Sequence, residues 1–229
     1  MKHLLAAAAA TLALAALPAQ AQIAAKRNAD NVPYCSMKDG VLIGYPDGNF
    51  EFNYTMTMTA DPARSTYDGG PGMFRATPNL FLFFNFLIGP DGRPTGPILP
   101  FSLTASFGRF VEGREAGTPD TLRLRIESGT LRSPPLTISG MARESNRISA
   151  TLVETNSGLD GYDVTAPQED LNRLAEASLA SGAVLYIHRG DKQIARAVVP
   201  ARSTGTSRTD ALAWASNTYP LLKKGQCPA

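Results

Sequence analysis

The chain has 229 residues, with 22 Lys and Arg against 20 Asp and Glu and a formal net charge of +2. This near-neutral balance, with its basic residues scattered, gives no support to nucleic-acid binding or to attachment at an anionic membrane surface. The length is enough to bury a sizeable core in one or two domains.

The amino terminus reads as an export signal. Met1-Lys2-His3 is a short basic start, Leu4 to Leu17 is an apolar run rich in Ala and Leu, and Ala19-Gln20-Ala21 supplies a small-x-small cleavage pattern. The run falls short of the roughly 20 apolar residues that span a bilayer as a helix, with a retained anchor as the alternative. Cleavage near Ala21 leaves 229 − 21 = 208 residues and a periplasmic or secreted protein. Residues 22–229 read as a single β-rich domain with no transmembrane segment.

Residues 22–34 are polar and irregular, an arm that is mobile or laid down. Cys35 and Cys227 are the only cysteines. In an oxidising compartment such a pair predicts a disulfide, with two free thiols as the alternative. The bond would close nearly the whole exported chain, and chain entropy puts its contribution at about 5 kcal/mol. No CxxC is present, so redox catalysis has no local motif.

From Val41 onward the signals are β. "PDGN", Pro46 to Asn49, is a turn in which Pro sets φ and Asp-Gly takes the left-handed positions. In "FEFNYTMTMT", Phe50, Phe52, Tyr54, Met56 and Met58 alternate with Glu51, Asn53, Thr55, Thr57 and Thr59. This period of two predicts a strand with one buried and one wet face, paired in a hairpin with 41–45. The Gly- and Pro-rich stretch 60–78 reads as a long loop, with Tyr67 at the edge of "YDGGPG" as a lid or contact residue.

"NLFLFFNFLI" follows. Leu80, Leu82, Phe84, Phe86 and Ile88 share one face, and Phe81, Phe83, Asn85 and Leu87 the other. Strands of outer-membrane barrels alternate apolar and polar, and this one does not. It reads as a central strand with one face on an opposing sheet and the other under a helix or long loop. The sharper alternative is that Phe81, Phe83 and Leu87 line an apolar ligand site, with Asn85 as its polar orienting group. "FSLTASF" predicts a strand with Phe101, Leu103, Ala105 and Phe107 on one face, and "TLRLRIES", "PLTISGMA" and "RISATLVET" are further strands. Arg123 and Arg125, between Leu122, Leu124 and Ile126, fall on a wet face.

The pattern changes near residue 167. "PQEDLNRLAEASLAS" predicts a helix, with acidic Glu169 and Asp170 in its first turn, a stripe of Leu171, Leu174, Ala175 and Leu179, and Gly182 at its C-cap. "AVLYIHRGDKQIARAVVP" predicts a hairpin around Gly190-Asp191. "SRTDALAWASN" predicts a second short helix capped by Ser207 or Thr209, with Trp214 as a packing anchor. Residues 167–227 thus form a helix–hairpin–helix lobe. The fold class is mostly β (α+β): an antiparallel sandwich or partly closed barrel carrying two C-terminal helices.

Chemical motifs are few. The exported chain has one histidine, His188, which leaves no HExxH and no multi-His metal site. No GxSxG, SxxK or phosphate-loop sequence occurs. "LDGYD", Leu159 to Asp163, offers two carboxylates in one loop, but its spacing is not that of an EF-hand and it reads as a turn. No cofactor and no metal are expected.

Residues 179–215, through Gly182, Ile194, Pro200, Ala211 and Leu212, resemble the C-terminal part of small periplasmic proteins of the invasion-associated locus B type. The resemblance implies an exported, β-sandwich-like protein and assigns no functional residue. The two-faced apolar strand, the long loops and the absence of catalytic motifs point to non-enzymatic binding or interaction, with an apolar small molecule or an envelope protein as partner. The alternatives are a hydrolase built from loop carboxylates and His188, and a structural envelope component.

Overall fold

The computed structural model describes residues 22–67, 77–109, 122–137, 147–155, 164–202 and 204–229, with the backbone alone at Tyr67, Gly108, Arg109, Arg147 and Ile148. The signal-like segment 1–21, residues 68–72 of "YDGGPG" and the "LDGYD" turn lie outside the described residues.

The arm is laid down: β1 (Gln22–Ala24) and β2 (Lys26–Arg27) lead into β3 (Pro33–Met37), followed by β4 (Gly40–Gly44) and β5 (Phe50–Thr59). After β6 (Asp61–Tyr67) come β7 (Asn79–Ile88), β8 (Pro100–Arg109) and β9 (Leu122–Ser128). The short β10 (Leu131–Arg132) and β11 (Leu136–Thr137) are followed by β12 (Arg147–Glu154) and β13 (Thr165–Ala166). Then come α1 (Gln168–Ser181), β14 (Ala183–Arg189), β15 (Lys192–Val199), α2 (Arg208–Leu222) and β16 (Gln226–Pro228).

An eight-stranded sheet runs β13-β12-β8-β7-β5-β4-β3-β2, a six-stranded sheet runs β10-β9-β14-β15-β6 with β11 on β9, and β1 pairs with β16 as a ribbon. Every pairing is antiparallel except β12 with β13. Neither sheet closes into a barrel among the described residues. One core is shared by both sheets and both helices. The architecture is therefore the mostly β, sandwich-like α+β fold with two C-terminal helices.

Alternation decides the core. Phe52, Tyr54, Met56 and Met58 of β5 and Leu80, Leu82, Phe84 and Phe86 of β7 face inward and are nearly inaccessible. Cys35 and Cys227, both buried, are joined by a disulfide that ties β3 to β16. Ser207 caps α2, its Oγ accepting from the Asp210 amide at 3.1 Å, and Gly182 ends α1 with φ of 82°.

Three expectations need correction and a fourth is refined. Residues 61–67 form an edge strand of the six-stranded sheet and are not part of a loop. Pro62, Ala63 and Arg64 are exposed there, so no apolar alternation marks the strand, and an edge tolerates the proline. Phe101 does not share the face of Leu103, Ala105 and Phe107. The β7–β8 register slips between Phe83 and Phe84, and Phe101 turns to meet the Phe83 ring at 6.2 Å. Leu179 packs on the core only partly buried, at the margin of the α1 stripe, and Ser178 is the fully buried residue of that turn, its hydroxyl donating to the Leu174 carbonyl at 2.7 Å. Helix α2 runs past Asn217 to Leu222, with Ala211, Ala215, Thr218, Tyr219 and Leu222 as its buried stripe. Pro220 falls in the last turn, where it removes only the amide that would bond the Ser216 carbonyl.

Candidate functional site

The inward face of β7 lies in the core, while its outward face is only partly covered. Register sets the neighbours of that outward face: Asn85 opposite Asn53, Leu87 opposite Glu51, Phe83 opposite Thr55 and Phe81 opposite Thr57. Asn85 Nδ2 donates to Glu51 Oε1 at 2.7 Å and to Asn53 Oδ1 at 2.8 Å. Asn53 Nδ2 donates to Glu51 Oε1 at 2.7 Å, and the Tyr45 hydroxyl donates to Glu51 Oε2 at 3.3 Å. Burial, with the neighbouring Glu51 charge behind it, raises the Tyr45 phenol above its ordinary value of 10.0, so it remains a donor near neutral pH.

This polar cluster adjoins an aromatic row. The Phe81 and Phe83 rings lie 6.3 Å apart and Phe101 continues the row. Phe81 and Phe83 are half-buried, and Leu87 is 48 % exposed. Four of the residues expected to form a ligand site thus do share one face. Tyr67 is placed elsewhere, opposite Ala195 in the six-stranded sheet. The cover expected over this face is not found among the described residues.

At the Leu87 end the sheet opens into a cleft of about 590 Å³ between the β4–β5 turn, the segment after β7 and the last turn of α2. Buried Phe50, Ile88, Tyr219 and Leu222 form its floor, and exposed Tyr45, Leu87 and Lys223 its rim. Phe50 and Tyr219 meet edge to face at 4.8 Å, and Lys223 Nζ lies 5.6 Å from the centre of the Tyr219 ring. A second cleft, about 370 Å³, lies between β10, β13 and the start of α1. Its Arg132 pairs with Glu127 at 3.4 Å and its Arg173 with Asp170 at 3.8 Å, so its charges are internally matched.

His188 lies on β14 between Arg123 and Gln193 in the pairing, with the Tyr186 ring 5.9 Å away. Burial and then the Arg125 charge lower its pKa from 6.5, opposed by Glu127, which keeps the ring neutral near pH 7. It lines neither cleft and makes no hydrogen bond to a described carboxylate or hydroxyl. The arrangement a hydrolase would need is not found around it among the described residues. No group of three or more His, Cys, Asp or Glu that could hold a metal occurs among them, and no helix there is long and apolar enough to cross a membrane.

Sequence reasoning placed Glu51 and Asn53 on a wet face without joining them to Asn85; only the strand register does that. It also passed over Tyr45, Tyr219 and Lys223, which come together from chain segments far apart. Comparison with protein-family models, curated proteins and solved structures gives no match.

Proposed function

We propose that this chain is an exported, non-enzymatic binding protein for an apolar small molecule, and that the outward face of β7 with its adjoining cleft is the binding surface. The observation that carries the reading is the pairing of under-covered apolar side chains with ordered polar groups. Phe81, Phe83 and Leu87 offer apolar contact, while Asn85, Asn53 and Glu51 form a fixed hydrogen-bonding centre beside them. Binding sites commonly combine an apolar lining with a few placed polar groups. Export draws its support from the N-terminal signal pattern, the buried disulfide and the resemblance of residues 179–215 to periplasmic proteins.

The test is titration with N-phenyl-1-naphthylamine, a neutral probe whose fluorescence rises in apolar surroundings. Saturable binding that Phe83→Ser weakens without lowering the melting temperature supports the proposal. Absence of binding, or binding that Phe83→Ser and Leu87→Ser both leave unchanged, rejects it. One observation favours a second reading: no described residue encloses the face and Leu87 stands 48 % exposed, which also suits an envelope protein as occupant. Crosslinking from position 83 in intact cells would then trap a protein adduct.

A further inference from the structure

We infer that the cleft at the Leu87 end of β7 is a site for an apolar monocarboxylate, such as an aliphatic acid, with Lys223 as its anion-binding group. The inference rests on the binding function proposed above and names its ligand class.

Charge is the first argument. Of the 14 described residues lining the cleft, Lys223 is the only charged one. It is exposed and forms no ion pair with a described carboxylate. The acids of the neighbouring turn and strand have partners of their own. Asp47 accepts from the Asn49 amide at 3.0 Å and from Asn49 Nδ2 at 2.7 Å, and Glu51 is held by Tyr45, Asn53 and Asn85. A ligand with one negative charge would supply the counter-ion that the described carboxylates do not.

The floor is the second argument. Phe50, Ile88, Tyr219 and Leu222 are all at least nine-tenths buried and turn an apolar surface toward the opening. The Phe50–Tyr219 contact and the buried stripe of α2 hold that surface in place before any ligand arrives. Lys223 Nζ stands over the Tyr219 ring, so its charge sits above an aromatic face at the rim of the cleft. A carboxylate at the ammonium with an aliphatic tail across Tyr219 toward Ile88 satisfies both halves. One ammonium balances the single charge of one carboxylate, whereas a dianion would bring a second charge that the described lining does not balance. The volume, about 590 Å³, is that of a small-molecule site.

The experiment is an NMR titration of the ¹⁵N-labelled protein with decanoate and, separately, with 1-decanol, repeated on Lys223→Gln, Lys223→Arg and Phe83→Ser. Lys223 is exposed, so its variants should keep the wild-type melting temperature. Decanoate should shift the amides of Leu87, Tyr219 and Lys223. Lys223→Gln should raise its Kd about tenfold, Lys223→Arg should restore most of the affinity, and neither should change decanol binding. Equal decanoate affinity in wild type and Lys223→Gln overturns the inference. So does a response confined to Phe81 and Phe83 and removed by Phe83→Ser, which leaves the broader binding function standing. Failure of both decanoate and decanol to bind, together with failure of the neutral probe, overturns both.

Discussion

Removing the Cys35–Cys227 bond should cost this protein a large part of its stability. The two cysteines are 192 residues apart in sequence. In the chain-entropy relation a loop of that length restricts the unfolded chain by about 18 cal/mol/K, or about 5 kcal/mol at 25 °C. Domains are stable by only about 5–15 kcal/mol in total. The folded-state geography points the same way: the bond fastens β16, and with it the last turn of α2 and the β1 ribbon, to β3 at the far end of the eight-stranded sheet. The assay is urea unfolding of the oxidised protein and of the Cys35→Ser/Cys227→Ser variant. With a urea slope of about 2.5 kcal/mol/M, the midpoint should fall by about 2 M. The slope should also rise, because the uncrosslinked unfolded chain exposes more surface. Coincident midpoints would refute the reasoning, since they would mean the crosslink does not restrain the unfolded chain.

Three further predictions concern the contacts at the ends of the two helices. Asp39 Oδ2 accepts from both the amide and the hydroxyl of Thr206 at 2.7 Å, ahead of α2, so Asp39→Asn should cost about 1.5–3 kcal/mol in the same unfolding assay. Burial opposes the Asp39 charge, but the Thr206 hydrogen bonds and then Lys38 outweigh it and hold the pKa below 3.8. The stabilisation is therefore present above that pH and lost as pH falls through the lowered value, and the Asn variant should show a flatter acid limb. Tyr54 donates its hydroxyl to the Thr206 carbonyl; burial first, then the Asp39 charge, push its pKa from 10.0 up to about 12. Wild type should thus lose about 2 kcal/mol between pH 10 and 12, a loss absent from Tyr54→Phe, as alkaline unfolding monitored by circular dichroism would show. At Gly182 φ is +82° and a Cβ would run into the Val199 carbonyl oxygen, so Gly182→Ala should lower the melting temperature more than Ala→Gly at exposed Ala63.

Local signals were the legible ones. The alternation of Phe50 to Thr59, the Ser207 cap and the Gly182 stop each sit within a few residues, and the structure places all three as read. The disulfide was legible because the chain offers only one pairing. What could not be read depends on distant partners. Asp61–Tyr67 is a strand because β15 presents an edge to it, not because its own residues alternate. Phe101 changes face through a register slip against β7, and Tyr219 belongs to a buried stripe because the Phe50 ring of β5 meets it. The candidate site divides in the same way. Phe81, Phe83, Asn85 and Leu87 share a face by strand periodicity alone. The Glu51–Asn53–Asn85 cluster needs the β5–β7 register, and the cleft needs Tyr45, Leu87 and Lys223 brought together from three parts of the chain.

The most direct measurement is native mass spectrometry of the protein purified from its own cells without detergent, followed by organic extraction. The binding function predicts a population heavier than the disulfide-bonded polypeptide, with an apolar molecule that passes into the solvent and whose retention falls in Phe83→Ser. A single mass equal to the polypeptide alone, in wild type and variant, would contradict it.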